Sequence, residues 1–519
     1  MARDVVGDRA SVIARLRWIG ATALVAVGVV VPLVGLAVDS LRGSDITAVW
    51  SRSGVREAVW FSLWQGVVST LAAVVVGLAP AWALSRFDLP GRRVALAALT
   101  VPFVLPTVVV GAAFLAALPD RFDRSVLAIV LAHVFFNVSV VVRTVVPTWT
   151  AVDEHLLDAA RTLGASPLTV ARTVVWPLLR PAVAGAAGLV FVMCATSYGV
   201  VRLLGGPGRS TLDVEIYRRA VDLADVSGAT VLAVAQTLVI VVLFAVWSRS
   251  AARRSSITTA RRRRAPIGVG VAVWALVAAF MAVPAALVLA SFRSTDGWST
   301  AGWRALFTGG DGLRVPVDIG DAIVNSLVFA VLAASVAVPL GVALARAAVS
   351  SSSRLADFVA SLPLGASAVV VGLGIIVTYD TGILDVRGEW WLVPLVHAAV
   401  ALPFVVRAVV PMVEAIPPGL AQAAATLGAS PWRRWIDIDL PLLRPAVATA
   451  SAFSLTMSIG EFGATSFLTR RDTTTLPIVV DTLLGRAGSL PHMTAFAVAS
   501  VLLVLTVVAV TAVDRSVRT

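Results

Sequence analysis

The chain has no lysine, one cysteine, three tyrosines and four histidines, and only 14% of its 519 residues are charged. Each shortage excludes something. A soluble chain of this length would fold as roughly two to four domains with about 25% charged residues, and too few polar side chains are present to cover such surfaces. Cys194 stands alone in an apolar run, so there is no disulfide framework and no thiolate metal site. His133, His155, His397 and His492 are too scattered to form one. Without lysine, all 42 basic residues are arginine, set against 30 acids for a formal net charge of +12. That surplus invites a nucleic-acid reading, but the arginines stand in short loops between apolar runs, where they orient membrane spans.

What the chain does have is hydrophobic residues, 58% of the total. A helix crossing the hydrocarbon needs about 20 mostly apolar residues. Twelve runs qualify, among them 18–38, 95–118, 182–204, 355–378 and 446–468. The expectation is an all-α integral protein of the cytoplasmic membrane, with 12 transmembrane helices. Arg3, Arg9, Arg15 and Arg17 precede the first run as in a secretory signal, but the run exceeds a signal's apolar core of about 7–15 residues and reads as an uncleaved helix. Arginine is concentrated in the loops that an N-in/C-in arrangement puts in the cytosol. Arg249, Arg253, Arg254 and the run from Arg261 to Arg264 mark residues 249–266 as a basic cytosolic linker near lipid headgroups.

The linker divides a repeat. Residues 162–167 and 426–431 both read TLGASP, and 177–183 and 441–447 both read PLLRPAV, each pair at an offset of 264. The same offset aligns His133 with His397, Arg143 with Arg407, Pro147 with Pro411, Gly199 with Gly463, and Thr211-Leu212 with Thr475-Leu476. Upstream, Pro102 and Gly111 match Pro363 and Gly372 at 261. Six spans per half is an even number, so halves 1–248 and 267–519 run in the same direction as a parallel repeat, with a pathway expected where they meet. A secondary transporter and a permease driven by a separate ATPase both fit. In the first, the repeat should preserve polar groups inside spans; here it best preserves a loop.

That loop reads EHLLDAARTLGASPLTVARTVVWPLLRP from Glu154, and PGLAQAAATLGASPWRRWIDIDLPLLRP from Pro418. Leu156, Leu157, Ala160 and Leu163 recur at helical spacing, Gly164 sits where a helix would stop, and Ser166 or Ser430 can cap a second helix that starts at Pro167 or Pro431. The pattern resembles the signature loop of ABC importer permeases that work with an extracytoplasmic binding protein: EAA, three residues, Gly, nine residues, Ile, one residue, Leu-Pro. Here it appears as Asp158-Ala159-Ala160, Gly164, Val174 and Trp176-Pro177, then as Gln422-Ala423-Ala424, Gly428, Ile438 and Leu440-Pro441.

The resemblance covers the whole chain and is closest to fused, double-length permeases such as those of thiamine and ferric-iron importers. LAHVFFN at 131–137, GGPGRSTLDVEIY at 205–217 and SIGEFG at 458–463 look most like the thiamine permeases. It implies a type I importer permease fold, with each loop docking on one of two ATPase subunits and a binding protein delivering substrate outside. The chain has no G-x-x-x-x-G-K-[ST] phosphate loop. ATP and Mg would therefore belong to the partner, and this chain would carry no cofactor, no metal and no catalytic residue.

Glu461 is the one acid well inside a run, since Asp357 lies near the end of its own. An intramembrane acid is a functional candidate by default. Its counterpart is Ser197, with Phe462 and Tyr198 beside them, so a carboxylate and two aromatic faces could meet an organic cation. Pairing with an arginine, or capping a helix break at the adjacent glycine, is the structural alternative. Ferric iron would want several oxygen donors, which makes it the second expectation after a thiamine-like cation, with another small solute such as an anion third. His133 and His397 read as packed, hydrogen-bonded side chains.

Overall fold

The computed structural model describes residues 22–43, 46–250, 263–295, 297–308, 318–350, 366–379 and 388–518. Asp357, Pro363, the four N-terminal arginines, and Arg253, Arg254, Arg261 and Arg262 of the linker lie outside them. Among the described residues ten helices are long and apolar enough to cross a membrane, or eleven if one bent pair counts as a span. The principal helices are α1 (Val31–Gly43), α2 (Ser53–Arg86), α3 (Arg92–Thr100), α4 (Thr107–Ala117), α5 (Val126–Thr150), α6 (Glu154–Thr162), α7 (Trp176–Ala195), α8 (Gly199–Leu204), α9 (Val226–Ser250), α10 (Ile267–Ala290), α11 (Ile319–Ser350), α12 (Ala368–Tyr379), α13 (Leu392–Ala415), α14 (Pro418–Thr426), α15 (Leu440–Ile459), α16 (Thr465–Leu468) and α17 (Ser489–Arg518).

Three of the apolar runs are not single straight helices. The run at 95–118 bends by 107° between Val104 and Thr107, where Pro102 and Pro106 deny the backbone the N–H groups a continuous helix needs. Those at 182–204 and 446–468 stop at Ala195 and Ile459 and resume as the short α8 and α16. Apolar composition is blind to these breaks, because the broken segments are as buried as the helices.

The chain packs as two compact units: one takes in 47–215 and 238–299, the other the described residues of 1–46, 216–237 and 300–519. In the first unit α2 lies along α5, and Gly77 permits their closest approach. A Cβ there would come within 2.8 Å of Val141 Cβ. Small residues serve this purpose between membrane helices, where backbones must come near for dispersion to count. This unit also holds α10: Trp274 Nε1 donates to the Pro90 carbonyl at 3.3 Å, and the Phe280 ring lies 5.2 Å from that of Phe135.

The second unit repeats the arrangement with α11 on α13. Gly341 replaces Gly77, and a Cβ there would meet Val405 Cβ at 2.9 Å; both residues stand at the 264 offset. The cluster of α11, α12 and α13 is completed by α1, from the other end of the sequence. Val25 and Val29 are buried in it, the Tyr379 hydroxyl donates to the Val27 carbonyl at 2.9 Å, and Gly374 lies against Pro32. The packing units therefore divide the chain differently from the repeat. The opening helix of each sequence half packs with helices of the other half.

Candidate coupling loops and helix breaks

The two loops fold alike, residue for residue. At the end of α6 the N–H of Gly164 donates to the Arg161 carbonyl at 2.9 Å and that of Ala165 to the Ala160 carbonyl at 3.0 Å. At the end of α14, Gly428 donates to Ala425 at 3.1 Å and Ala429 to Ala424 at 3.0 Å. This is a Schellman stop, which needs a left-handed residue after the helix. Gly164 has φ +83° and Gly428 φ +75°. Ser166 Oγ then accepts the Thr169 N–H at 3.2 Å, Ser430 Oγ that of Arg433 at 3.3 Å, and Pro167 and Pro431 each open the next turn. Wide π turns follow at Ala171–Val175 and Trp435–Asp439. They absorb the register lost where Pro177 and Pro441 lack an N–H to donate.

The apolar stripe expected on α6 is split. Leu157 turns inward and is buried, whereas Leu156 and Leu163 face outward, Leu163 at 88% exposure and its counterpart Leu427 at 86%. Leu168 and Trp432 extend the same exposed surface. Ala159, Ala423 and Gln422 are exposed, Ala424 is buried, and Asp158 pairs with Arg161 at 2.8 Å in the open. A fully covered leucine is worth about 1.5–3 kcal/mol, so both loops expose apolar surface whose burial would be favourable.

The tethers of the loops differ. Glu154, at the start of α6, reaches Arg86 at 3.6 Å beside a cavity of about 190 Å³ lined by Trp82, Arg86, Phe87, Glu154, Leu157 and Arg161. In the second loop Asp439 binds Arg346 of α11 at 2.8 Å and Arg434 at 3.5 Å, and the Arg346 guanidinium lies 4.5 Å from the Trp435 ring centre. No sequence signal marked this cluster, because Trp435 and Asp439 align with Ala171 and Val175.

The pathway candidates all lie at the helix breaks. Ser197 and Tyr198 occupy the gap between α7 and α8, and Glu461 and Phe462 that between α15 and α16; all four are buried. In the first unit Gln65 Nε2 donates to the Cys194 carbonyl at 2.7 Å, the Thr211 hydroxyl donates to the Ser197 carbonyl at 2.8 Å, and Ser69 Oγ lies 3.1 Å from His133 Nδ1. In the second unit Glu461 does the holding. One oxygen accepts the Ala464 N–H at 2.9 Å, and the other accepts the Thr465 N–H at 2.8 Å together with the Thr465 hydroxyl. Glu461 thus caps α16, and neither oxygen is unengaged. His397 lies beneath it, Nε2 at 2.8 Å from Thr465 Oγ1 and Nδ1 at 2.7 Å from Ser458 Oγ.

Further symmetry surrounds the breaks. Ser62 Oγ accepts the Leu212 N–H at 2.9 Å, and Ser326 Oγ the Leu476 N–H at 2.9 Å. Gly111 of α4 lies against Leu203, and Gly372 of α12 against Phe467 and the Ala464 backbone. Leu203 and Phe467 are themselves repeat partners, so the offset change upstream leaves these pairings intact.

Ten or eleven apolar spans among the described residues, an internal repeat and a pair of matching exposed loops define a helical, multi-pass membrane protein built by duplication. Residues 58–257 and 337–519 match the family described as binding-protein-dependent transport system inner membrane component, and the chain belongs to it. It is an ABC transporter permease of the inner membrane, with that domain present twice. It is 28% identical over 93% of its length to the thiamine transport system permease protein ThiP of Brucella abortus (strain 2308), of which 92% is covered. It is 26% identical over 85% of its length to the probable ABC transporter permease protein y4fN of Sinorhizobium fredii, covering 84% of that chain. Over 43% of its length it is 32% identical to the putative 2-aminoethylphosphonate transport system permease protein PhnV of Salmonella typhimurium, covering 85% of that protein.

Proposed function

We propose that this chain is the transmembrane subunit of an ATP-driven importer of thiamine or a related organic cation. It has twelve helices in two parallel six-helix repeats, residues 1–248 and 267–519, joined by the basic linker 249–266. Both termini lie in the cytosol. The repeats together form the translocation pathway, with Ser197, Tyr198, Glu461 and Phe462 on its wall. The loops carrying Asp158, Ala159, Ala160, Gly164 and Pro177, and Gln422, Ala423, Ala424, Gly428 and Pro441, each seat on one ATPase subunit, which binds ATP and Mg and tilts the attached spans as it closes. An extracytoplasmic binding protein delivers the substrate.

The coupling half of this reading is supported by one observation: two loops with the same glycine-stopped helix present leucines that are 88% and 86% exposed. The substrate half is supported by a relative, named for thiamine transport, that matches across 93% of the chain, and by aromatic residues at both breaks, which suit a thiazolium face. Reconstituted in liposomes with its ATPase and binding protein, the permease should accumulate labelled thiamine only when ATP is supplied. Uptake of 2-aminoethylphosphonate or ferric iron without thiamine would overturn the substrate assignment, and ATP-independent uptake would overturn the coupling.

A further inference from the structure

We infer that His397, Thr465 and Glu461 form a clasp that positions the break between α15 and α16, and that Glu461 acts through this segment and not as a bare charge facing the substrate. The inference deepens the pathway assignment above and rests on it. In a continuous helix the N–H groups of Ala464 and Thr465 would donate to backbone carbonyls four residues back. At the break they donate to the Glu461 carboxylate instead. Irregular backbone at membrane depth survives only where such groups find partners inside the protein. Here the side chain of the same segment supplies them.

The hydroxyl of Thr465 fixes the direction of the network. An ionised carboxylate only accepts, so the single Thr465 proton points to Glu461. Thr465 Oγ1 is then placed to accept from His397 Nε2–H, at 2.8 Å, and the same nitrogen lies 3.5 Å from a Glu461 carboxylate oxygen. A neutral imidazole with its proton on Nε2 leaves Nδ1 as an acceptor for the Ser458 hydroxyl at 2.7 Å. Ser458 thus donates to His397, His397 to Thr465 and Thr465 to Glu461, joining the end of α15, the first half of α13, the start of α16 and the break itself. His397 is 1% exposed and Glu461 7%, so water offers little competition and each link is correspondingly strong.

The first repeat lacks the device. Its aligned positions are Cys194, His133, Val201 and Ser197, which hold no carboxylate and no equivalent of the Thr465 hydroxyl. Among the described residues His133 Nε2 has no hydrogen-bond partner, and the end of α7 is secured by Gln65 from α2 instead. At the second break the neighbouring backbone comes close as well: a Cβ on Gly463 would lie 3.1 Å from Val369 and one on Gly372 2.9 Å from the Ala464 Cα, whereas one on Gly111 would meet the Leu203 side chain. A small rotation of residues 460–464 would therefore move α12 as well.

Thr465→Val keeps the shape and the Glu461 charge but removes the link; Glu461→Gln keeps the shape and removes the charge; Thr465→Ser keeps the hydroxyl. Hydrogen exchange of the full chain in lipid nanodiscs needs no substrate and reads the clasp directly at the amides of Ala464 and Thr465. Thr465→Val and Glu461→Gln should each speed that exchange about tenfold, and Thr465→Ser should leave it as in the parent. Uptake per inserted molecule should fall in the first two at unchanged half-saturating substrate concentration, recover in Thr465→Ser, and fall no further in the double variant, as expected of coupled groups. Parental exchange in both Thr465→Val and Glu461→Gln would overturn the clasp, as would normal uptake by Thr465→Val beside lost uptake by Glu461→Gln. Should the parent carry no thiamine, the substrate assignment falls while the exchange result still decides the clasp.

Discussion

Gly164 and Gly428 show how much a single backbone angle can carry. Nothing lies within 4 Å of a Cβ built on either glycine, so a side chain there meets no obstacle and the whole effect of substitution is conformational. A β-branched residue held at φ near +80° costs about 1–2 kcal/mol, enough to favour a different exit from the helix and swing Leu163 or Leu427 out of its exposed position. The Gly164→Val, Gly428→Val double variant should insert normally while ATP-driven uptake falls by tenfold or so. Asparagine tolerates the left-handed region, so Gly164→Asn should retain most of the uptake. Equal loss in the asparagine and valine variants would show that the angle is not what matters.

Among the elements, the two repeated loops share a backbone but not a fastening. The first is held at the start of α6 by Arg86 and Glu154, whose charged atoms stand 3.6 Å apart, beyond hydrogen-bond reach. The second is held beyond its capping serine, where Arg346 grips Asp439 and stacks over Trp435. Asp439 is 10% exposed and Arg346 28%, and removing one partner of a pair this sheltered costs about 1–3 kcal/mol after discount for the open guanidinium. Asp439→Asn should therefore make the segment around Trp435 more sensitive to limited proteolysis and lower the ATP turnover stimulated by the binding protein, whereas Glu154→Gln should do neither. Comparing the cleavage rates of these two variants tests the asymmetry directly.

For the whole molecule, α1 belongs with the bundle of α11, α12 and α13. A Cβ on Gly35 would lie 3.1 Å from the Thr378 Cβ, close to the roughly 3.5–4.5 Å that a disulfide spans. With Cys194→Ser as background, the Gly35→Cys, Thr378→Cys variant should cross-link under mild oxidation. After cleavage at a protease site placed in the central linker, its two fragments should then stay joined on a non-reducing gel. Separate fragments would contradict this packing.

Composition decided that the chain lives in a membrane, repetition that it is duplicated and where the glycines of its repeated loop stand, and the resemblance of that loop that it is a permease. These features are local: hydropathy, a helix stop and a serine cap are written in a few neighbouring residues, and the offset of 264 exposes them twice. What the sequence could not decide depends on which surfaces meet. The run at 446–468 looked continuous because composition carries no record of the hydrogen bonds by which Glu461 replaces a turn of helix. Leu156 and Leu157 were indistinguishable until packing turned one inward and left the other for a partner. The clasp of Arg346 on Asp439 joins residues 93 apart, and α1 lies beside α12 across most of the chain. Such pairings come from the tertiary fold, because a side chain's partners are set by which helices lie against one another, and no periodicity along the chain records that.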